Sequence, residues 1–315
     1  MLMMAYKPEL LVTAANLDEL ERFIEAGADA VIIGDARFGT RLAGEFDLNQ
    51  MAEAVRIANR SERPIRIYGA MNNLMDNGSL EALPDYVAGL VQAGVSAVAF
   101  GDPAVLMAVR QHAPQLKLHW NAEMTSTNYE TANFWGRRGA TRVVAARELN
   151  MEQVIEMKQK CVLEVQVQVH GMTNIYHSKR SLVQSYMEHQ EKPIQIGEAG
   201  QEANIYLMEA ERADERFPIY EDANGTHVMS SDDLCMLENL HELMEAGVDS
   251  FKIEGLLKPA DYNETVIRSY RAAIDAYCSA PSEYRFKEEW LEAIQAKQDP
   301  NRELSFGFFY KEQVY

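Results

Sequence analysis

The sequence predicts a (β/α)8 TIM-like barrel with an insertion after strand seven and a short C-terminal extension. Three observations predict it. One phrase recurs four times: a helix pattern, a glycine, then a short strand ending in glycine or a charge. It reads ELERFIEAGADAVIIGD (19–35), YVAGLVQAGVSAVAFGD (86–102), NFWGRRGATRVVAARE (133–148) and ELMEAGVDSFKIEG (242–255). Four copies point to a repeating βα unit. Eight strand patterns also alternate with eight helix patterns, the order of a parallel barrel. Finally, no glycine-rich dinucleotide fingerprint follows any strand, which weighs against an open doubly wound sheet.

Taken in order, the first strand pattern covers 9–14, and the helix at 17–27 closes on the glycine of IEAGAD, which suits a left-handed C-cap. Strand 30–34, helix 47–60, strand 64–70 and helix 80–93 follow, and a second capping glycine leads into strand 97–101. Helix 103–112, strand 117–122, helix 127–138, strand 142–147 and helix 150–160 continue the alternation. Strand 164–170 is the alternating run EVQVQVH. The chain then leaves the repeat over 172–232, which holds the acidic stretch MEAERADERFPIYEDANG and a hairpin turn at Asn224-Gly225. Helix 233–246, strand 250–254 and helix 260–278 complete the barrel, the last ending near Ser279 or Ala280 because Pro281 cannot continue it. Residues 280–315 carry a short helix around KEEWLEAIQ and the aromatic end FGFFY. The expected organisation is one barrel over 1–279, insertion included, with 280–315 packed on it.

Composition narrows the function classes. The 315 residues are 47% hydrophobic, enough for a large core, and the formal charge is -18. Such a field repels phosphate backbones and argues against a stand-alone nucleic-acid binder. Cys161, Cys235 and Cys278 are far apart and odd in number, as expected of reduced thiols, and all three map to helices or helix ends. The N-terminus does not resemble a signal peptide, and no apolar run approaches the roughly 18 residues of a membrane span. The expected location is the cytoplasm.

Strand alternation assigns the lumen. With apolar residues facing the helices, Arg66, Tyr68, His119, Asn121, Gln166, Gln168, His170, Lys252 and Glu254 point inward. Polar groups on that face need partners. Two readings stand: an internal hydrogen-bond network, or a ligand pocket at the mouth built from Asn72, Asp102, Glu123, Arg147, His170, Lys252 and Glu254. Arg37 and Arg41, in a loop near the mouth, are candidate anion-binding residues. His170 with Asp102, Glu123 and Glu254 offers donors for a divalent cation, without HxH or HExxH spacing. Lys252 has the position of a Schiff-base lysine, but an adjacent Glu254 holds it charged, so a salt bridge is expected. There is no G-x-S-x-G elbow and no cysteine at a strand end beside a histidine.

The phrases NLDELERFIEAGADAVIIG, GDPAVL, TSTNYETANFW, RVVAARELN, VHG, EDANGTHVMSSDDLCMLENLHELMEAGVDSFKIEG, SYRAAIDAY and FGFFY run over nearly the whole chain. Together they resemble peptidase family U32, the collagenase-like proteases. The resemblance implies a barrel with an insertion after strand seven. It implies one of two activities: proteolysis, or hydroxylation of tRNA or ribosomal RNA by proteins that carry an iron–sulfur cluster on four cysteines. Two of the cluster positions fall here on Asn174 and Ser181, Leu256 replaces the arginine of the family's IEGR, and Thr13-Ala14-Ala15 replaces its opening PAG. Clusters need thiolates, so none is expected on this chain. The pattern is similar to the short, cysteine-lacking subunit of two-component systems. That resemblance implies an accessory role in prephenate-dependent 5-hydroxylation of the tRNA wobble uridine. A cysteine-containing U32 partner would contact tRNA, and a small carboxylic acid would be a possible ligand. The alternatives are a U32 peptidase and a metal-assisted lyase or aldolase.

Overall fold

The computed structural model describes residues 6–121, 127–192 and 200–312. The alternating half of the chain runs β1 (Glu9–Thr13), α1 (Leu17–Ala26), β2 (Ala30–Ile33), α2 (Leu48–Ala58), β3 (Arg66–Met71), α3 (Asn77–Ala93), β4 (Ala97–Phe100) and α4 (Pro103–His112). It continues with β5 (Lys117–Asn121), α5 (Tyr129–Arg137), β6 (Ala140–Val144), α6 (Met151–Lys160) and β7 (Glu164–Gly171). The insertion contributes β8 (Asn174–Ser178), α7 (Leu182–His189), β9 (Ile205–Glu209), β10 (Arg212–Asp222) and β11 (Gly225–Met229). After it come β12 (Asp233–Cys235), α8 (Leu240–Glu245), β13 (Ser250–Ile253), α9 (Ala260–Ser279), α10 (Glu288–Gln295) and β14 (Leu304–Ser305).

Strands β1 to β7 and β13 pair in parallel and close through β13–β7, so the fold is a (β/α)8 barrel. Leu10, Val12, Ile67, Val98, Leu118, Val165 and Phe251 face the helices in one continuous core. The lumen is layered. At its base Glu9 accepts from Arg142, Arg66, Tyr68 and Ser250, while Gln166 accepts from Arg142 at 3.4 Å and His119 packs edge-on against Tyr68. Burial alone would raise the Glu9 carboxyl, but the Arg142 charge and hydrogen bond hold it down at about 2. Above this network Leu11, Ala30, Tyr68 and Ala97 form an apolar plug. The lower half is therefore the internal polar network, and the mouth is a separate space.

Two sequence expectations change. The predicted helix 233–246 is a strand followed by a short helix, because β7 runs past β6, whose pairing stops at Val144↔Gln166, and offers a free edge. Leu234 pairs with Gly171 and Cys235 with His170, and helix begins only at Leu240. Cys235 consequently lies on a strand. Strand six spans Ala140–Val144, two residues earlier than expected at its start.

The insertion folds as an antiparallel sheet in the order β8-β11-β10-β9, with α7 packed through Val183 on Phe217, Ile219 and Val228. The expected hairpin is present. Asp222 pairs with Gly225, Ala223 and Asn224 form the tip, and Gly225 takes the positive φ of 108°. In the extension, β14 pairs with β12, and Arg302 donates to Asp233 at 2.8 Å and to the carbonyls of Ser230 and Asp232. Among the described residues no helix is long and apolar enough to cross a membrane.

Candidate functional site

The mouth is built from strand ends and their loops, the position at which barrel sites form. Thr40, Arg41, Asn72, Arg147, Gln168, Asn174, Lys252 and Glu254 line one cavity there, with Met172, Met229 and Leu256 as apolar walls. A neighbouring hollow shares Thr40, Arg41, Asn72 and Lys252 and extends to Thr13.

Glu254 is fixed from three sides. Its carboxylate pairs with Lys252 Nζ at 3.0 Å, accepts from Thr13 Oγ1 at 3.2 Å and accepts from the Leu256 backbone N–H at 3.2 Å. The expected salt bridge is thus formed. Gly171 makes room for it: the backbone there has φ 99°, and a Cβ would lie 2.1 Å from the Glu254 carbonyl oxygen. Asn72 holds the 38–44 loop by accepting from the Thr40 backbone N–H at 3.1 Å. Arg41, in that loop, has φ 55°, an unusual backbone for a side-chain-bearing residue. Arg147 donates to the Asn174 carbonyl at 2.7 Å. Arg41, Arg147 and Lys252 thus line the cavity, with Glu254 as its carboxylate among the described residues. Guanidinium and ammonium groups at a strand-end mouth are suitable donors to a small anion.

The insertion roofs the mouth. Asn224 donates to the carbonyls of Ala36 and Gly39 at 3.1 and 3.2 Å and accepts from Asn73 at 2.6 Å, so the hairpin tip is tied to the loops after β2 and β3. Behind the tip Tyr220, His227 and His177 stack at 4.7 Å spacings, and His227 bonds Asp222 at 2.9 Å.

The other proposed residues lie elsewhere. Asp102 caps α4, accepting from the Ala104 and Met75 backbone N–H groups. Arg37 is exposed, donates to the Gly78 carbonyl and does not line the cavity. Glu123 lies outside the described residues. His170 does not face the lumen. The β7–β13 ladder slips by one residue between Lys252↔Gln168 and Ile253↔His170, so alternation is broken. The imidazole turns toward α9 instead, where Nε2 meets Tyr262 Oη at 2.9 Å and Tyr270 Oη lies 3.5 Å from Nδ1. Of the proposed cation set of His170, Asp102, Glu123 and Glu254, the three described members are therefore not brought together.

The β12–β7 pairing sets Cys235 opposite His170, with Tyr270 Oη 3.8 Å from Cys235 Sγ and its proton directed to the Val169 carbonyl at 2.7 Å. This corrects the expectation that no cysteine stands beside a histidine. The pair has the wrong electronics for a nucleophile, however. Burial pushes the Cys235 thiol up to about 11 and His170 down to about 3, opposite to a thiolate–imidazolium pair.

The cluster positions do not fit an iron–sulfur group. Asn174 is buried and its amide donates to the carbonyls of Tyr176 and Val228, while Ser181 is exposed before α7. The three cysteines sit on separate elements, and among the described residues no three His, Cys, Asp or Glu side chains gather as a metal site. The residues absent from the sequence reading are Thr40, Met172 and Met229 in the mouth, where Leu256 had been noted only as a replaced arginine, and Tyr262 and Tyr270 around His170. The two tyrosines lie eight residues apart on α9, which gave no sign of which strand they meet.

Comparison with known proteins bears on the family and the fold. The chain is 47% identical to tRNA hydroxylation protein P2 of Bacillus subtilis (strain 168), over 98% of this chain and 99% of that protein. It is 32% identical to tRNA hydroxylation protein P1 of the same organism, over 98% of this chain and 74% of that protein. It is 30% identical to the 23S rRNA 5-hydroxycytidine C2501 synthase of Escherichia coli (strain K12), over 86% of this chain and 40% of that protein. A solved U32 peptidase structure shares the fold with a TM-score of 0.50 and 13% identity, covering 80% of this chain and 95% of that one. The family model described as peptidase family U32 matches residues 15–314, and the chain belongs to that family.

Proposed function

We propose that this chain is a cluster-lacking accessory subunit in 5-hydroxylation of the tRNA wobble uridine, working in the cytoplasm with a second, cysteine-containing U32 protein. The observation that carries the reading is the end-to-end 47% identity to tRNA hydroxylation protein P2, together with cluster positions that hold Asn174 and Ser181. That P1 and P2 relatives both occur in one organism supports a two-protein system. In this reading the partner carries the redox chemistry and the tRNA contacts, since the charge of -18 disfavours RNA binding here. The mouth holds a small carboxylic acid, prephenate in the resemblance described above. Arg41, Arg147 and Lys252 supply the positive charge, and Glu254 orients Lys252. Residues 1–279 act as one body with 280–315 packed upon it.

The peptidase and metal-assisted alternatives receive no support from the described residues. The one Cys–His pair is electronically inert and the proposed cation donors are dispersed. The test is deletion of the gene followed by mass spectrometry of tRNA nucleosides. Loss of 5-hydroxyuridine, restored by the wild-type chain and not by Arg147→Ala, is the expected result. Unchanged 5-hydroxyuridine in the deletion strain overturns the reading.

A further inference from the structure

Strand β9 is the outer strand of the inserted sheet, and its one partner among the described residues is β10. Tyr206, Leu207 and Met208 follow one another along it and are 38%, 47% and 57% exposed. Edge strands ordinarily carry lysine, proline or a bulge on the open side, because unpaired backbone groups beside apolar side chains invite another chain. Ile205–Glu209 carries neither lysine nor proline. The nearby bulge, between Arg212 and Phe217, falls on the inner strand.

The surroundings of this edge are acidic. Residues 201–216 contain Glu202, Glu209, Glu211, Asp214 and Glu215 against Arg212 and Arg216, a net charge of -3 from five acidic and two basic residues. Arg212 is committed within the hairpin, to Glu209 at 2.8 Å and Glu215 at 3.3 Å. Pairing of two copies edge to edge would set -3 against -3, and like charges across a ladder are destabilising. The surface therefore selects against a second copy and for a partner with basic residues flanking an apolar strip.

We infer that the open edge of β9 and its acidic turn form the docking surface for the second U32 chain. The inference rests on the accessory-subunit reading and places the contact on the inserted sheet. Backbone pairing along β9 supplies alignment, Leu207 and Met208 supply apolar contacts on the two faces of the extended sheet, and the carboxylates select a basic partner.

The test uses the full-length tagged chain co-expressed with the cysteine-containing U32 protein of the same organism. Capture is followed by affinity measurement at low and high salt. The double variant Leu207→Lys/Met208→Lys alters two exposed side chains, and Glu209→Lys/Glu211→Lys reverses charge at the turn. Each is expected to weaken association by roughly tenfold or more with an unchanged melting temperature. Salt should weaken the wild-type complex more than that of the charge-reversed variant. Wild-type affinity in both variants overturns the proposed surface and leaves the accessory reading standing. A wild-type self-dimer dissolved by these variants overturns the choice of occupant. Failure of the wild-type chain to capture any second U32 protein overturns the surface and the accessory reading together.

Discussion

Gly171 joins backbone geometry to site chemistry. Its φ of 99° and the 2.1 Å approach of a Cβ to the Glu254 carbonyl leave no space for another residue. Gly171→Ala should therefore cost about 2–3 kcal/mol and displace Glu254 from Lys252, read as a lower melting temperature. One strand position away, His170 sets a pH response. Burial lowers its pKa from 6.5 to about 3, with Asp233 opposing and Lys258 adding to the shift. The unfolded chain binds the proton more readily, so stability is full above about pH 6.5 and is lost as pH falls toward 3. His119 behaves the same way, whereas Glu9 and Asp233 lose their contributions only below about 4.5 and 3.8. Calorimetry at pH 7, 5.5 and 4.5 should show a falling melting temperature, with a shallower fall in His170→Gln. Lys252, Glu254 and Asn72 were legible at the mouth because they lie within one residue of a strand end, and Arg147 because it follows β6 by three residues. His170 was not, because the slip that turns it is a property of the β7–β13 pairing and leaves no mark on either strand alone.

Among elements, β12 and the extension depend on one buried carboxylate. Asp233 is 0% exposed and receives Lys258, Arg302 and Gln298, whose Nε2 lies at 2.6 Å. Burial would raise its pKa, but Lys258 and Arg302 hold it at about 2. Arg302→Ala leaves that charge with one cation fewer and frees the Ser230 and Asp232 carbonyls. It should cost about 3–5 kcal/mol, measured by urea unfolding. The eight barrel strands were readable because β2 to β7 and β13 each follow a helix and a turn signal, while β1 leads into the first such helix. The strand Asp233–Cys235 was not, because DLCMLENLHELMEA has the apolar spacing of a helix and only the exposed edge of β7 draws its first residues into a ladder.

For the whole molecule, charge distribution decides what enters. The chain carries a formal charge of -18, while Arg41, Arg147 and Lys252 meet at one opening. Prephenate at about 100 times its Kd should stabilise the fold by about 2.7 kcal/mol. Thermal shift checks this, with a smaller shift in Arg147→Ala and at high salt. The apolar plug of Leu11, Ala30, Tyr68 and Ala97 has a separate consequence. It stands between the mouth cavity and the basal hollow, which share no lining residue, so apolar side chains insulate a ligand at the mouth from the Glu9–Arg142 network. A reporter group placed at the opposite end, on Lys117, would follow unfolding without touching that ligand.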